Sequence, residues 1–257
     1  MSTPTLLRVV EREARVYRRL WRGLVFSTFL TPVLFLAAMG LGLGDLVKQH
    51  SGTVGGVDYL DYIAPGLLVA SAFQIAAGEA MWPVLAGVKW VRFYTGVVAT
   101  PIDTRDLYGG VVLWQAIRTV IASTVFLIIA ALFGAIPSAW GVLAVPASAL
   151  TAAAIVALLA AFSIAQETDL RFPLLMRLGI LPMVMFSGTF FPISQLPRVI
   201  RWVVVLSPLW HGVVLARDAT TGTFHPWADL GHVVALCGFI ALGAYFGVKT
   251  FARRLHG

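Results

Sequence analysis

Charge is what this chain has least of. Of its 257 residues 12% are Asp, Glu, Lys or Arg and 59% are hydrophobic, with a mean hydropathy of +0.86. Soluble domains carry about 25% charged residues, so an ordinary water-soluble fold is excluded. Cysteine is nearly missing too. Cys237 stands alone inside an apolar run, which rules out an intrachain disulfide framework and a cysteine-based metal cluster. No G-x-x-x-x-G-K-[ST] occurs, so no phosphate-cradling loop is encoded, and neither H-E-x-x-H nor G-x-S-x-G appears. The run Gly40-Leu41-Gly42-Leu43-Gly44 lacks the basic residue and following helix of a phosphate site and reads as the end of a helix. The histidines His50, His211, His225, His232 and His256 form no tight cluster, and His225 and His232 read as interfacial, so no metal site is expected.

What is present is a series of apolar runs. About 20 residues of helix cross a bilayer core, and runs of that length fall at 24–43, 61–84, 109–133, 143–165, 172–191 and 228–248. The fifth is interrupted by Arg177 and Pro182. The first follows a basic N-terminus but lacks an A-x-A-like cleavage site, so it reads as a retained helix. The expected fold is an all-α membrane protein with six spans.

The formal net charge of +7 does not gather in one patch, as a nucleic-acid surface requires; it lies at the ends of the runs. With the N-terminus inside, one set of segments holds Arg8, Arg12, Arg15, Arg18, Arg19, Arg22, Lys89, Arg92, Arg105, Arg171, Arg177, Lys249, Arg253 and Arg254. The other holds only Lys48, Arg198, Arg201 and Arg217. The positive-inside rule then places both termini in the cytoplasm. Lys is scarce beside Arg while Ala and Gly abound, which fits a GC-rich bacterial genome and a bacterial cytoplasmic (inner) membrane.

Residues 1–23 are expected to form an amphipathic helix, with Thr3 as N-cap and Pro4 at the first helical position. Leu6, Val9, Val10, Tyr17, Leu20 and Trp21 share one face; Arg8, Arg12, Arg15, Arg19 and Arg22 share the other, a pattern suited to an anionic lipid surface. Residues 24–257 would form the membrane domain. Within it, a loop at about 86–106 carries a short amphipathic helix in which Trp90, Phe93, Tyr94 and Val97 recur at helical spacing, with Lys89 and Arg92 turned away. Pro101 ends it, and Asp103 is placed to cap the next helix. So much aromatic surface on a polar loop calls for a partner. From about 191 to 222, Pro192, Pro197, Arg198, Arg201, Pro208 and His211 break an apolar stretch into pieces too short to span, which predicts re-entrant or interfacial helices on the outer side.

Polar residues at membrane depth are costly and mark functional candidates. Ser71, Gln74 and Gly78 share a face of the second run, with Glu79 near its inner end; Gln115 lies one turn from Thr119, and Trp114 one turn from Arg118. Glu79 and Arg118 either pair near the cytoplasmic side, because each alone is an expensive buried charge, or snorkel independently to the inner headgroups.

The stretches Tyr62-Ile63-Ala64-Pro65-Gly66-Leu67-Leu68, Glu79-Ala80-Met81-Trp82-Pro83-Val84, Lys89-Trp90 and Ala99-Thr100-Pro101 resemble the ABC-2 exporter permeases. So do Phe186-Ser187-Gly188-Thr189-Phe190-Phe191-Pro192-Ile193-Ser194-Gln195-Leu196-Pro197 and Ser207-Pro208-Leu209-Trp210-His211-Gly212. The similarity runs in order along nearly the whole chain and is nearest the nodulation-type lipo-oligosaccharide and daunorubicin-resistance-type permeases. It implies six spans behind a connecting helix, a homo- or heterodimer with a second permease copy or paralogue, and two cytoplasmic ABC ATPase subunits that hold the ATP and Mg. This chain would bind no cofactor and carry no ATPase site of its own. Val88, Lys89, Trp90, Val91, Arg92, Phe93, Tyr94, Thr95, Thr100 and Pro101 would take the role of the ATPase-coupling helix. The segment from Phe191 to Gly222, including Pro192, Gln195, Pro197, Pro208, Trp210 and His211, would be the outer hairpin that closes the exit.

The leading expectation is therefore the permease half of an ATP-driven exporter of an amphiphile: a drug, lipid, glycolipid or polysaccharide. A secondary multidrug carrier driven by an ion gradient is the alternative, disfavoured because the ionisable groups cluster at the ends of runs rather than at midplane. A membrane enzyme is disfavoured by the absent catalytic pairs.

Overall fold

The computed structural model describes residues 5–38 and 56–256, and every regular element in them is helical. The proposed cap at Thr3 and Pro4, the Gly40–Gly44 run, Lys48, His50 and the last residues of the 24–43 run lie outside the described residues. Helix α1 runs unbroken over Thr5–Ala37, so the amphipathic segment and the first apolar run are one rod. Next come α2 (Tyr59–Lys89), the short α3 (Phe93–Val98) and α4 (Thr104–Leu132). A 3-10 turn at Ala139–Leu143 leads into α5 (Ala144–Ile164). Then follow α6 (Arg171–Leu175), a π turn over Met176–Ile180 and α7 (Leu181–Phe186). The chain closes with α8 (Arg198–Val205), α9 (Pro208–Thr221) and α10 (Pro226–His256).

Four of these helices are long and apolar enough to cross a bilayer: Tyr59–Lys89, Thr104–Leu132, Ala139–Ile164 and Pro226–Leu255. They coincide with the second, third, fourth and sixth runs. The fifth run departs from expectation. Its helical part stops at Phe186 and is interrupted by the π turn, because Pro182 has no N–H to give and its ring crowds the carbonyl one turn back.

Helix α5 is the hub. Its Ala-rich surface has no polar side, nearly all of it is buried, and α2, α4, α9 and α10 pack around it. Small residues let backbones approach closely where there is no water to expel. A Cβ on Gly243 of α10 would stand 2.6 Å from Ala157. Tyr108 donates to the Ala157 carbonyl at 2.8 Å and Ser123 to Ser148 Oγ at 2.9 Å, so these hydroxyls buried between helices are satisfied locally, whereas the buried Ser163 hydroxyl has no partner. Helix α1 docks on α4 the same way: Val9 is buried where Gly110 leaves room, and a Cβ there would come within 2.7 Å of it.

Candidate functional site

Three structural features carry the predicted site residues. The first is a cavity of about 420 Å³ enclosed by α1, α2, α4, α7 and the segment after α7. Phe35, Leu67, Ile75, Phe126, Val184 and Phe190 make its apolar wall; Ser71, Gln74, Gln115, Arg118, Thr119 and Ser123 supply its polar side. Glu79 is joined to this cluster from behind. Its carboxylate accepts from Arg118 Nη1 at 2.8 Å, the paired arrangement of the two the sequence left open. Tyr17 of α1 completes the group, with the Arg118 guanidinium 5.4 Å from its ring centre and the Trp114 ring edge-on at 5.7 Å. Three helices thus meet at one ion pair. Gln115 also lines a second pocket of about 260 Å³, shared with Arg12, Glu13 and Glu79.

The second feature is the segment expected to couple to an ATPase, which is not one helix. Helix α2 continues through Val88 to Lys89; Arg92 then takes a left-handed conformation at φ 51°, and α3 starts at Phe93. The break turns the aromatic residues apart. Trp90 and Val91 stand 64% and 67% exposed, while Tyr94 is buried at 6% under Gly87 and against Phe251 of α10 at 6.0 Å. The single aromatic face predicted for Trp90, Phe93 and Tyr94 is corrected accordingly. Burial pushes the Tyr94 hydroxyl well above its usual pKa. Phe93 is covered by the Arg12 guanidinium of α1, 3.3 Å from its ring centre. Lys89 turns to Glu167, which also accepts from Arg254 at 2.6 Å; the two cations, Arg254 foremost, hold that exposed carboxyl down to about 2. Thr95 and Thr100 return their hydroxyls to the Arg92 and Val97 carbonyls. Pro101 follows, and Asp103 accepts from the Arg105 N–H at 3.3 Å to start α4, as predicted.

The third feature is the segment expected to form an outer hairpin. Pro197 precedes α8, Ser207 caps α9 by accepting from the Leu209 N–H, and Pro208 occupies the first turn. The two helices meet at 84°. Phe191 packs edge-on to Phe186 at 6.4 Å, and Gln195 closes a short 3-10 turn after Pro192. Trp210 and His211 face α10, where His211 Nδ1 lies 2.7 Å from His232 Nδ1. Sequence spacing had kept these histidines apart; the fold pairs them, although no group of three metal-ligating residues forms among the described residues.

Arg217, counted in the sequence as an outer-segment charge, is instead the centre of this end. It donates to the Gly188 carbonyl at 2.7 Å and twice to the Tyr62 carbonyl at 3.3 Å, with its guanidinium 3.8 Å from the Tyr62 ring centre. Tyr62 in turn donates to Gly188 at 3.2 Å. Gly188 has φ 81°, and a Cβ on Gly66 would meet the Thr189 carbonyl at 2.9 Å. The Tyr62–Leu68 and Phe186–Pro197 stretches therefore interlock. Helical spacing held the signal for Arg217: it follows Leu209, Val213 and Ala216, the buried stripe of α9.

With this geometry in hand, the chain matches the ABC-2 type transporter family over residues 5–220. It is similar to Nodulation protein J of Bradyrhizobium diazoefficiens strain USDA 110, 31% identical over 240 residues, covering 91% of this chain and 89% of that protein. The Nodulation protein J of Rhizobium leguminosarum bv. trifolii is 29% identical over 241 residues, and that of Rhizobium meliloti strain 1021 is 27% identical over 240, each covering 91% of this chain and 89% of the relative.

Proposed function

The chain belongs to the ABC-2 type transporter family and is a multi-pass membrane protein, and from this we propose that it is the permease subunit of an ATP-driven exporter. It sits in a bacterial cytoplasmic membrane with both termini inside, as homodimer or heterodimer, and takes its ATP and Mg through separate cytoplasmic ATPase subunits. The observation that carries the reading is the break at Arg92, which leaves Trp90 and Val91 exposed at a helix end otherwise tied down by ion pairs. Exposed aromatic side chains on a rigid support are the usual anchors of a protein interface.

The mechanism is alternating access. Closure of the ATPase dimer displaces the coupling segment, and the nucleotide's differential affinity for the two states supplies the shift. Displacement reaches the cavity along two routes. Arg12 links α3 to α1, whose Tyr17 and Phe35 line the cavity, and α2 runs from the cavity wall to Lys89. At the far end, the Tyr62–Gly188–Arg217 interlock holds the outer hairpin closed over α2. The cargo is an amphiphile, matched by the apolar wall and polar side of the cavity.

Purification from native membranes tests this. An ATPase subunit should copurify, and uptake into inside-out vesicles should require ATP. Transport that persists without ATP but collapses with the proton gradient would overturn it.

A further inference from the structure

The two pockets meet at the Glu79–Arg118 ion pair, and they differ in charge. The larger cavity is lined by Arg118 and, among its described lining residues, by no carboxylate. Glu79 belongs to the smaller pocket, together with Arg12 and Glu13. The ion pair is thus a wall whose two halves face different compartments. Its contact with Glu79 uses Nη1, one end of a planar fork that carries five N–H donors. Arg118 and Glu79 keep 17% and 33% of their side chains exposed, so neither is sealed off. Tyr17 covers the guanidinium from α1 and would hold it in place if its carboxylate partner left.

We propose that the larger cavity binds an amphiphile with an anionic head, and that the head takes Arg118 from Glu79. An uncompensated cation at membrane depth is costly, so Arg118 keeps an anionic partner before and after the exchange. The head gains a bidentate partner, with Gln74, Gln115 and Ser71 as further hydrogen-bonding groups, and the hydrocarbon part lies along Leu67, Phe126 and Phe190. The released Glu79 remains in the smaller, partly open pocket, beside the Arg12–Glu13 ion pair. At about 420 Å³ the cavity falls within the size range of small-molecule sites, roughly 300–1,000 Å³. Glu79 is in this view a place-holder whose removal should strengthen binding. A purely structural ion pair predicts the opposite.

This inference rests on the permease reading, and its test uses no ATP, so the two can fail separately. The full chain is reconstituted in phosphatidylcholine bilayers with nitroxide-labelled phosphatidic acid or labelled phosphatidylcholine of the same acyl chains, and the immobilised fraction is measured. The unsubstituted chain should prefer phosphatidic acid, Glu79→Gln should raise that preference, and Arg118→Gln should lower it by about tenfold. Dodecyl phosphate should displace the labelled lipid where the same concentration of inorganic phosphate does not. If Arg118→Gln does not accumulate, Arg118→Lys, which keeps the charge but not the fork, should retain a reduced preference. Equal immobilisation of the two lipids, a preference untouched by the Arg118 variants, a loss of binding in Glu79→Gln, or equal displacement by inorganic phosphate would each overturn the proposal.

Discussion

At the break between α2 and α3, Arg92 and Trp90 stand in the open and Lys89 reaches sideways to a surface carboxylate. Around the bend between α8 and α9, by contrast, Arg217 is drawn beneath the Tyr62 ring and spends its donors on two main-chain carbonyls. Both regions interrupt the bundle, and both mix arginine with aromatic residues. They differ in what their arginines replace. Near Lys89 the ion pairs compete with water and contribute little each. At Gly188 the guanidinium fills the hydrogen-bonding needs of a backbone that no helix satisfies. One end leaves its side chains to solvent, and the other ties its own backbone together.

The comparison breaks first at Tyr94. Although it belongs to the open region, Tyr94→Ala should cost about 4 kcal/mol, as for other large buried aromatic truncations, seen as a lowered thermal midpoint in detergent. An unchanged midpoint would mean that the whole coupling segment is surface. Next comes Arg217→Ala, which takes the guanidinium from the Tyr62 carbonyl, leaves the Gly188 carbonyl with the Tyr62 hydroxyl alone, and should cost about 3 kcal/mol. Arg217→Lys should recover only part of it, since an ammonium lacks the fork. Full recovery would reduce the clamp to simple charge.

Trp90→Ala combined with Val91→Ala should move stability by no more than about 0.5 kcal/mol yet weaken ATPase copurification by about 2 kcal/mol of binding. Retained copurification would remove the docking role from this turn. The smallest effect belongs to Glu167→Gln. The folded carboxyl titrates near 2 against an ordinary 4.5. Its stabilisation is therefore present above about 4.5 and fades as pH falls toward 2. The variant's small deficit in thermal midpoint should appear at pH 7 and vanish near pH 2.

Length and hydropathy sufficed to locate α2, α4, α5 and α10, because an apolar run of bilayer length has few other destinations. The Glu79–Arg118 pair was readable for a related reason: two opposite charges at membrane depth need each other. What stayed hidden depended on how helices break. Nothing in the spacing of Trp90, Phe93 and Tyr94 announces that Arg92 adopts a left-handed conformation, and one residue out of register sends Tyr94 inward. The clamp made by Arg217 was missed because its neighbours read as broken pieces until Ser207 and Pro208 are recognised as the start of a helix. The meeting of His211 with His232 needs the bend of the hairpin, which lies beyond local sequence.

The unbroken length of α1 has a mechanical meaning. Thirty-three residues make a rod about 50 Å long, gripped near one end by Phe93 through Arg12 and bearing Tyr17 and Phe35 along the cavity. An unbroken rod converts rotation into displacement. If Arg12 pivots with the segment after α2 by about 5°, the far end, about 37 Å away, sweeps about 3 Å, over half of one helical turn. A hinge of two glycines inserted between Tyr17 and Phe35 would absorb that sweep, and with it the leverage between the membrane surface and the cavity.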